Sequence, residues 1–556
     1  MPRLRICALA LSLLLPAPIA AAADADPVVA APAGSVRGVV ERDVRIFRGI
    51  PYAQAPVGER RWRPPVAAAD WDGVRDASQF GAACMQPKPR AGNIYAGSLP
   101  AMSEDCLSLN VWAPENAKNA PVFVWIHGGS LMAGSGAEPL YDGSALARRG
   151  IVVVTINYRL GMFGYFAHPA LSAEAPDHVS GNYGLLDQIA ALQWVKRNIG
   201  AFGGNAANVT VAGESAGALS VMYLMTAPAA RGLFAKAVAQ SAYMVSAPAL
   251  RDRVNGMVPA EEQGSDLAAK LGATDLAALR ALPAETIADK VPTTGYFPFP
   301  AIDGKTVPRQ LVDSFDRGEQ APVPILAGFN SGEIRSLRFL LPKPPADAAA
   351  YEAAVRAGYG EFADMFLARY PAKNIDESML AATRDAMYGW TAERLVSDQA
   401  AAGKGAYFYL FDHGYPATQE WNLHAFHASE LPYVFGTASR TPPLWPKIPD
   451  TLAERKLSEA MGDYWASFAA TGKPQAKGWP DWPDYADDRG FLHFADTPRA
   501  GHNLFPGTAA LHEAVVCRRR AAGDIAWNWN VGIIAPPLPP KAEGCQGSTV
   551  RCNPMP

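Results

Sequence analysis

Four short runs constrain this chain more than anything else in it. "PVFVWI" (121–126), "IVVVTIN" (151–157), "NVTVAG" (208–213) and "PVPILAGF" (322–329) are apolar with almost no alternation, as strands covered on both faces must be. Between the second and third lies "NYGLLDQIAALQWVKRNIG", where Leu185, Ile189, Leu192, Val195 and Ile199 recur at spacings of four and three and make one stripe of a helix. Strand, amphipathic helix, strand is a crossover connection. The expected fold class is therefore α/β, a large and mostly parallel central sheet with helices on both faces. Residues 28–52 alternate and carry turn chemistry, which predicts twisted antiparallel strands ahead of the parallel set. Beyond residue 250 the chain becomes Ala-rich and helical, as in "DLAAKLGATDLAALRAL" and "AAAYEAAVRAGYGEFADMFLARY". These extra helices are expected to pack around the sheet and shape the site.

The ends read differently. "MPRLRIC" is basic, "ALALSLLLPAPIA" is apolar and "AAADADP" supplies small residues for cleavage, so residues 1–23 are expected to be a cleaved secretory signal peptide. No later stretch is long and apolar enough to span a bilayer. The mature chain is expected to be exported, periplasmic or secreted, without stable membrane insertion. No fixed-period repeat or Gly/Ser linker divides it. Residues 24–535 are expected to form one large domain, followed by a Pro-rich, cysteine-containing tail over 536–556. Charge is nearly balanced, 50 Lys+Arg against 53 Asp+Glu, which leaves no basic footprint for nucleic acid.

Of six cysteines, Cys7 leaves with the signal, and five remain in a compartment where disulfides persist. Cys84 and Cys106, which enclose a 21-residue loop, are expected to pair. Cys517, Cys545 and Cys552 leave one odd thiol, with Cys545 and Cys552 the nearest pairing.

"VAGESAGA" (211–218) hems one serine with glycine and alanine. "NVTVAG" is a strand and "AGALSVMYLM" has helical composition, so Gly213-Glu214-Ser215-Ala216-Gly217 falls where a strand reverses into a helix. That is the setting of a nucleophile elbow, in which small flanking residues let the serine oxygen stand exposed above the sheet. A serine needs a base and an orienting acid. Six of the nine histidines follow Ser215, and "WNLHAFHASELPYVFG" places two competitors, His424 and His427, just before a helical start. For the acid, "PILAGFNSGE" empties a buried strand into a polar loop ending in Glu333, at the carboxyl edge of the sheet. Its rival reading is a glutamate meeting a helix dipole. Asp303 in "AIDGKTV" reads as a D-G turn residue. "VWIHGGSLMAGSG" ends a strand in a glycine-rich loop whose amides can turn toward an oxyanion, with His127 as a loop-orienting residue. No G-x-x-x-x-G-K-[ST] follows it, so a phosphate cradle is not expected.

These motifs, in this order, resemble the type-B carboxylesterase/lipase family of α/β-hydrolases, which includes bacterial para-nitrobenzyl esterases and cholinesterases. The carriers are "FRGIPYAQAPVGERRWRPP", "SEDCLSLNVW", "PVFVWIHGGS", "NYRLGMFGYF", "NYGLLDQIAALQWVKRNIGAFGGNAANVTVAGESAGA", "GFNSGE", "HASELPYVFG" and "YWASFAATGKP". They run from about residue 30 to about residue 500.

The resemblance implies an α/β-hydrolase fold with helical insertions around the active site, and a secreted serine esterase acting through an acyl-enzyme. Ser215 would be the nucleophile, Glu333 the acid and His427, three residues before Glu430, the base in preference to His424. Oxyanion amides would come from Gly129, Ser130 and Ala216, with Glu214, Ser241 and Glu430 around the triad. It also supports the Cys84 to Cys106 link. No cofactor or metal is implied, and the partner would be a small-molecule ester. Where many relatives have a third glycine and an aromatic, this chain has Ser130-Leu131, which is expected to change the acyl-pocket wall. The Cys84 to Cys106 loop lacks tryptophan, which disfavours choline esters. The alternatives are an interfacial lipase, a catalytically inactive binding or adhesion protein on the same fold, and metal-dependent hydrolysis through His424, His427 and Glu430, for which no H-E-x-x-H pattern is present.

Overall fold

The computed structural model describes residues 26–528 and 531–541. The expected signal peptide, Cys7, Cys545 and Cys552 lie outside the described residues.

Eleven strands form the central sheet: β1 Val39–Glu41, β2 Val44–Pro51, β3 Ser108–Pro114, β4 Ala120–Ile126, β5 Val152–Ile156, β6 Gly204–Glu214, β7 Lys236–Gln240, β8 Ile325–Asn330, β9 Ala406–Phe411, β10 Gly490–Phe494 and β11 Arg499–His502. Their spatial order is β11-β10-β9-β8-β7-β6-β4-β5-β3-β2-β1. From β10 to β5 every neighbouring pair is parallel, and both edges are finished by antiparallel pairs. The hairpin between β1 and β2 turns on Arg42 and Asp43, both at positive φ, as a two-residue turn matched to strand twist requires. The four apolar runs of the sequence are β4, β5, β6 and β8, shifted by a few residues at their ends.

The lack of alternation in these runs has a direct cause. Along β4, Val122, Val124 and Ile126 enter one hydrophobic core with Leu185 and Leu192, while Phe123 and Trp125 enter a second core with Tyr464, Trp465 and Phe468. Helices α1 Tyr183–Asn198 and α2 Ala216–Thr226 supply the first layer. Helix α3 Leu452–Thr471 supplies the second. All five residues of the predicted stripe lie in the first core, although Ile199 falls just past the end of α1.

The Ala-rich segments are helical but broken: Ala260–Lys270 and Leu276–Ala281 are separated at Gly272, and Ala348–Tyr359 and Ala363–Arg369 at Gly360. A π-helical turn over Asp385–Gly389, which no sequence pattern announced, brings Met387 and Tyr388 to the wall of the main cavity. No helix among the described residues is long and apolar enough to cross a membrane. Cys84 and Cys106 are disulfide-bonded. Cys517 is also disulfide-bonded.

Candidate active site

Ser215 stands at the junction of β6 and α2 with φ 57° and ψ −121°, a conformation that persists only where the surroundings impose it. The two glycines of the motif permit the junction. A Cβ on Gly213 would lie 2.5 Å from the Gly217 carbonyl carbon, and one on Gly217 would lie 2.0 Å from the Ile126 carbonyl oxygen. The Ser215 amide donates to the Gln240 carbonyl at 2.9 Å and ties the turn to β7. Helix α2 begins at Ala216, so its first amides lack intrahelical acceptors and present the positive end of the helix beside the serine.

The loop after β4 carries Gly129, Ser130 and Leu131 at φ 99°, 59° and 58°. The amides of Met132 and Ala133 both donate to the Gly129 carbonyl at 3.0 Å, which folds the loop back. Among the described residues the Gly129 and Ser130 amides donate to no protein acceptor. His127 is buried, its Nδ1 donates to the Gly128 carbonyl at 2.8 Å, and its ring stacks on Tyr158. Burial pushes its pKa down to about 4, so it stays neutral. Of the Ser130-Leu131 pair, Ser130 lines the cavity, while Leu131 is buried in the first core.

His427 is held from two sides. Its Nδ1 donates to Oε2 of Glu333, which leaves β8 fully buried and whose Oε1 accepts from the Asn330 amide at 2.8 Å. Its Nε2 lies 3.1 Å from Oε1 of Glu214. Among the described residues no hydrogen bond joins His427 to Ser215 Oγ. Burial alone would pull the imidazole pKa down, but the carboxylates of Glu214, Glu333 and Glu430 push it up to about 9. Burial pushes the Glu214 carboxyl up to about 8 against the pull of His427.

Glu430 lies behind this pair and accepts from Gln240 Nε2 at 2.8 Å and Asn330 Nδ2 at 2.6 Å. Trp465 Nε1 donates to Gln240 Oε1 at 2.9 Å and so fixes which end of the amide faces Glu430. Asn330 therefore binds Glu333 through its backbone and Glu430 through its side chain. Sequence reasoning singled out neither Asn330 nor Gln240, since an amide at a strand end carries no pattern of its own. Ser241 sits nearby with φ 49°, and among the described residues its buried Oγ has no hydrogen-bond partner.

The competing residues lie elsewhere. His424 Nε2 meets Asn422 Oδ1 at 3.0 Å. Asp303 accepts from the amides of Lys305 and Val307 and from Asn182, the bonding of a turn. Among the described residues no group of three or more His, Cys, Asp or Glu is arranged to hold a metal ion.

Ser215, Glu214 and His427 open into one cavity of about 1200 Å³, larger than the 300–1,000 Å³ typical of small-molecule sites. Its wall is rich in aromatic side chains, among them Tyr141, Tyr243, Tyr388 and Trp445. The disulfide loop has no tryptophan, but it brings Tyr95, whose ring stands edge-on to His427 at 6.4 Å.

The carboxylesterase family model matches residues 25–510. Among characterised relatives, para-nitrobenzyl esterase of Bacillus subtilis (strain 168) is 38% identical over 469 residues, covering 82% of this chain and 92% of that protein. Fumonisin B1 esterase of Sphingopyxis macrogoltabida is 36% identical over 509 residues, covering 88% and 90%. A solved PNB esterase superposes with a TM-score of 0.75 at 33% identity, covering 88% of this chain and 99% of that one. The chain belongs to the carboxylesterase family and is a carboxylic ester hydrolase with the α/β-hydrolase fold.

Proposed function

We propose that this chain is an exported serine carboxylesterase that works through an acyl-enzyme, with Ser215 as nucleophile, His427 as base and Glu333 as the acid that orients it. The observation that carries the reading is the pairing of a strained elbow serine at a helix start with an imidazole bonded to a buried glutamate, both opening into one cavity. In the first step Nε2 turns from Glu214 to Ser215 Oγ and takes its proton while the oxygen attacks the ester carbonyl. Catalytic hydrogen bonds commonly tighten only when substrate is bound. The amides of Gly129, Ser130 and Ala216 receive the oxyanion. The proton on Nε2 passes to the departing alcohol, and water then repeats the sequence on the acyl-enzyme to release the acid. The basic and apolar start of the sequence supports export, and the absence of a linker pattern supports one catalytic domain over residues 24–535.

One observation favours a second reading, an interfacial lipase. Phe339 and Trp421 line the cavity yet are 78% and 51% exposed, an apolar lip suited to an aggregated ester. A turnover screen across acyl length and leaving group, with Ser215→Ala as blank, separates the two. An esterase is expected to favour dissolved short-chain esters. A jump in rate once a long-chain ester passes its solubility limit would establish the lipase instead. An inactive binding protein would hydrolyse neither.

A further inference from the structure

The loop closed by the Cys84–Cys106 disulfide forms one side of the cavity, with residues from Gln86 to Leu99 on its wall. From Met85 to Ala101 it has no helix or strand, and its shape rests on two backbone turn bonds, from the Asn93 amide to the Arg90 carbonyl and from the Ala96 amide to the Asn93 carbonyl, together with a few side-chain ties. Two of these ties reach the reacting region. Gln86 exchanges a pair of hydrogen bonds with Gly134: its Nε2 donates to the carbonyl at 3.0 Å and its Oε1 accepts from the amide at 2.9 Å. Gly134 follows Ala133, whose amide closes the loop of Gly129 and Ser130. At the other end of the wall, the Tyr95 hydroxyl lies 3.0 Å from the carbonyl oxygen of His427 and 2.7 Å from Ser336 Oγ. A phenol has one proton. The carbonyl can only accept, so the arrangement that satisfies both contacts has Tyr95 donating to His427 and the Ser336 hydroxyl donating to Tyr95. Ser336 lies three residues beyond Glu333. One hydroxyl thus touches the segment of the base and the segment of the acid.

We propose that Tyr95 is a positioning residue, and that through Tyr95 and Gln86 the disulfide-closed loop braces the imidazole of His427 and the oxyanion loop as one body. The inference rests on the proposed roles of Ser215, His427 and the loop amides. Fixing the backbone of His427 matters because its Nε2 must swing between Glu214 and Ser215 without losing Glu333, and a misplacement of about 1 Å in a reacting group costs on the order of 100-fold in rate. The ring of Tyr95 is already packed against Trp445 at 5.8 Å and Phe426 at 6.5 Å. Removing only the hydroxyl therefore leaves the packing in place.

The test is a double-mutant cycle with Tyr95→Phe and Gln86→Ala, assayed on a short-chain aryl ester. Tyr95→Phe is expected to lower kcat about tenfold with KM within about twofold of wild type and the melting temperature nearly unchanged. Gln86→Ala is expected to lower kcat as well. The double variant should lose less than the product of the two, because a loop acting as one body is released by either change. An unchanged kcat in Tyr95→Phe, a loss confined to KM, a melting temperature that falls along with kcat, or strictly multiplicative losses would each overturn the proposal. Failure of the underlying reading shows separately. Turnover that survives Ser215→Ala overturns that reading and this proposal together, whereas a dead Ser215→Ala beside an unaffected Tyr95→Phe overturns this one alone.

Discussion

Nε2 of His427 lies 3.1 Å from the carboxylate of Glu214, the residue immediately before Ser215. The nitrogen that must accept the serine proton thus rests against an acidic neighbour, while Nδ1 is held by a second carboxylate, Glu333. Anionic partners favour the protonated ring, and a protonated ring cannot act as base.

The first prediction concerns pH. With His427 raised to about 9, the acid limb of kcat/KM is expected well above 6.5, the ordinary histidine value: activity rises as the ring loses its proton and falls away below. Glu214→Gln removes one of the anionic neighbours and should move that limb to lower pH. A pH profile of kcat/KM for both proteins checks it, and an unmoved limb would falsify the coupling.

Ser215→Ala should abolish turnover, by about 10⁴-fold or more. The same change should remove covalent labelling by an organophosphate, read as an intact-mass increment. Labelling that persisted would mean that another hydroxyl is the activated one.

Replacing Glu333 by Gln keeps size and burial but removes the charge that stabilises the imidazolium. The expected loss in kcat is on the order of 10⁴-fold, with substrate binding little affected. Stopped-assay kinetics at saturating ester would measure it. A loss under about tenfold would transfer the orienting role to another carboxylate, Glu214 at 3.1 Å from Nε2 being one candidate.

A stability prediction comes from the buried Arg159–Asp187 pair. Asp187 accepts from Arg159 Nε and a terminal guanidinium nitrogen, both at 2.7 Å, and from the Arg159 amide at 3.0 Å. Both side chains are almost fully buried. Asp187→Ala would leave a guanidinium in the interior without its counter-charge, at a cost of about 3–5 kcal/mol. Urea denaturation followed by tryptophan fluorescence is the measurement, and a midpoint within error of wild type would contradict it.

How much of this could be read from the sequence depended on whether an interaction leaves a periodic or local trace. β4, β5, β6 and β8 did, because burial on both faces suppresses alternation. The elbow did as well, since Gly213 and Gly217 are demanded by backbone distances of 2.5 Å and 2.0 Å to an added Cβ. Between His424 and His427 the residues alone left the choice open, and it took the resemblance to prefer His427. The contacts of Asn330, Gln240, Tyr95 and Gln86 join positions up to 332 residues apart and leave no local trace. The Ser130-Leu131 pair divides: Ser130 lines the cavity, whereas Leu131 is buried in the first core, a split that no local pattern marks. The disulfide loop has no tryptophan, yet it sets Tyr95 edge-on to the imidazole at 6.4 Å.

Every residue of α2 is buried, so the carrier of Ser215 is walled in on all sides and no substitution along it can be absorbed at a surface. Room for change lies instead at the rim of the cavity, in the disulfide loop and the segments around Phe297, Phe339 and Trp421. A library aimed at new esters would be better spent there than on the eleven positions following the serine.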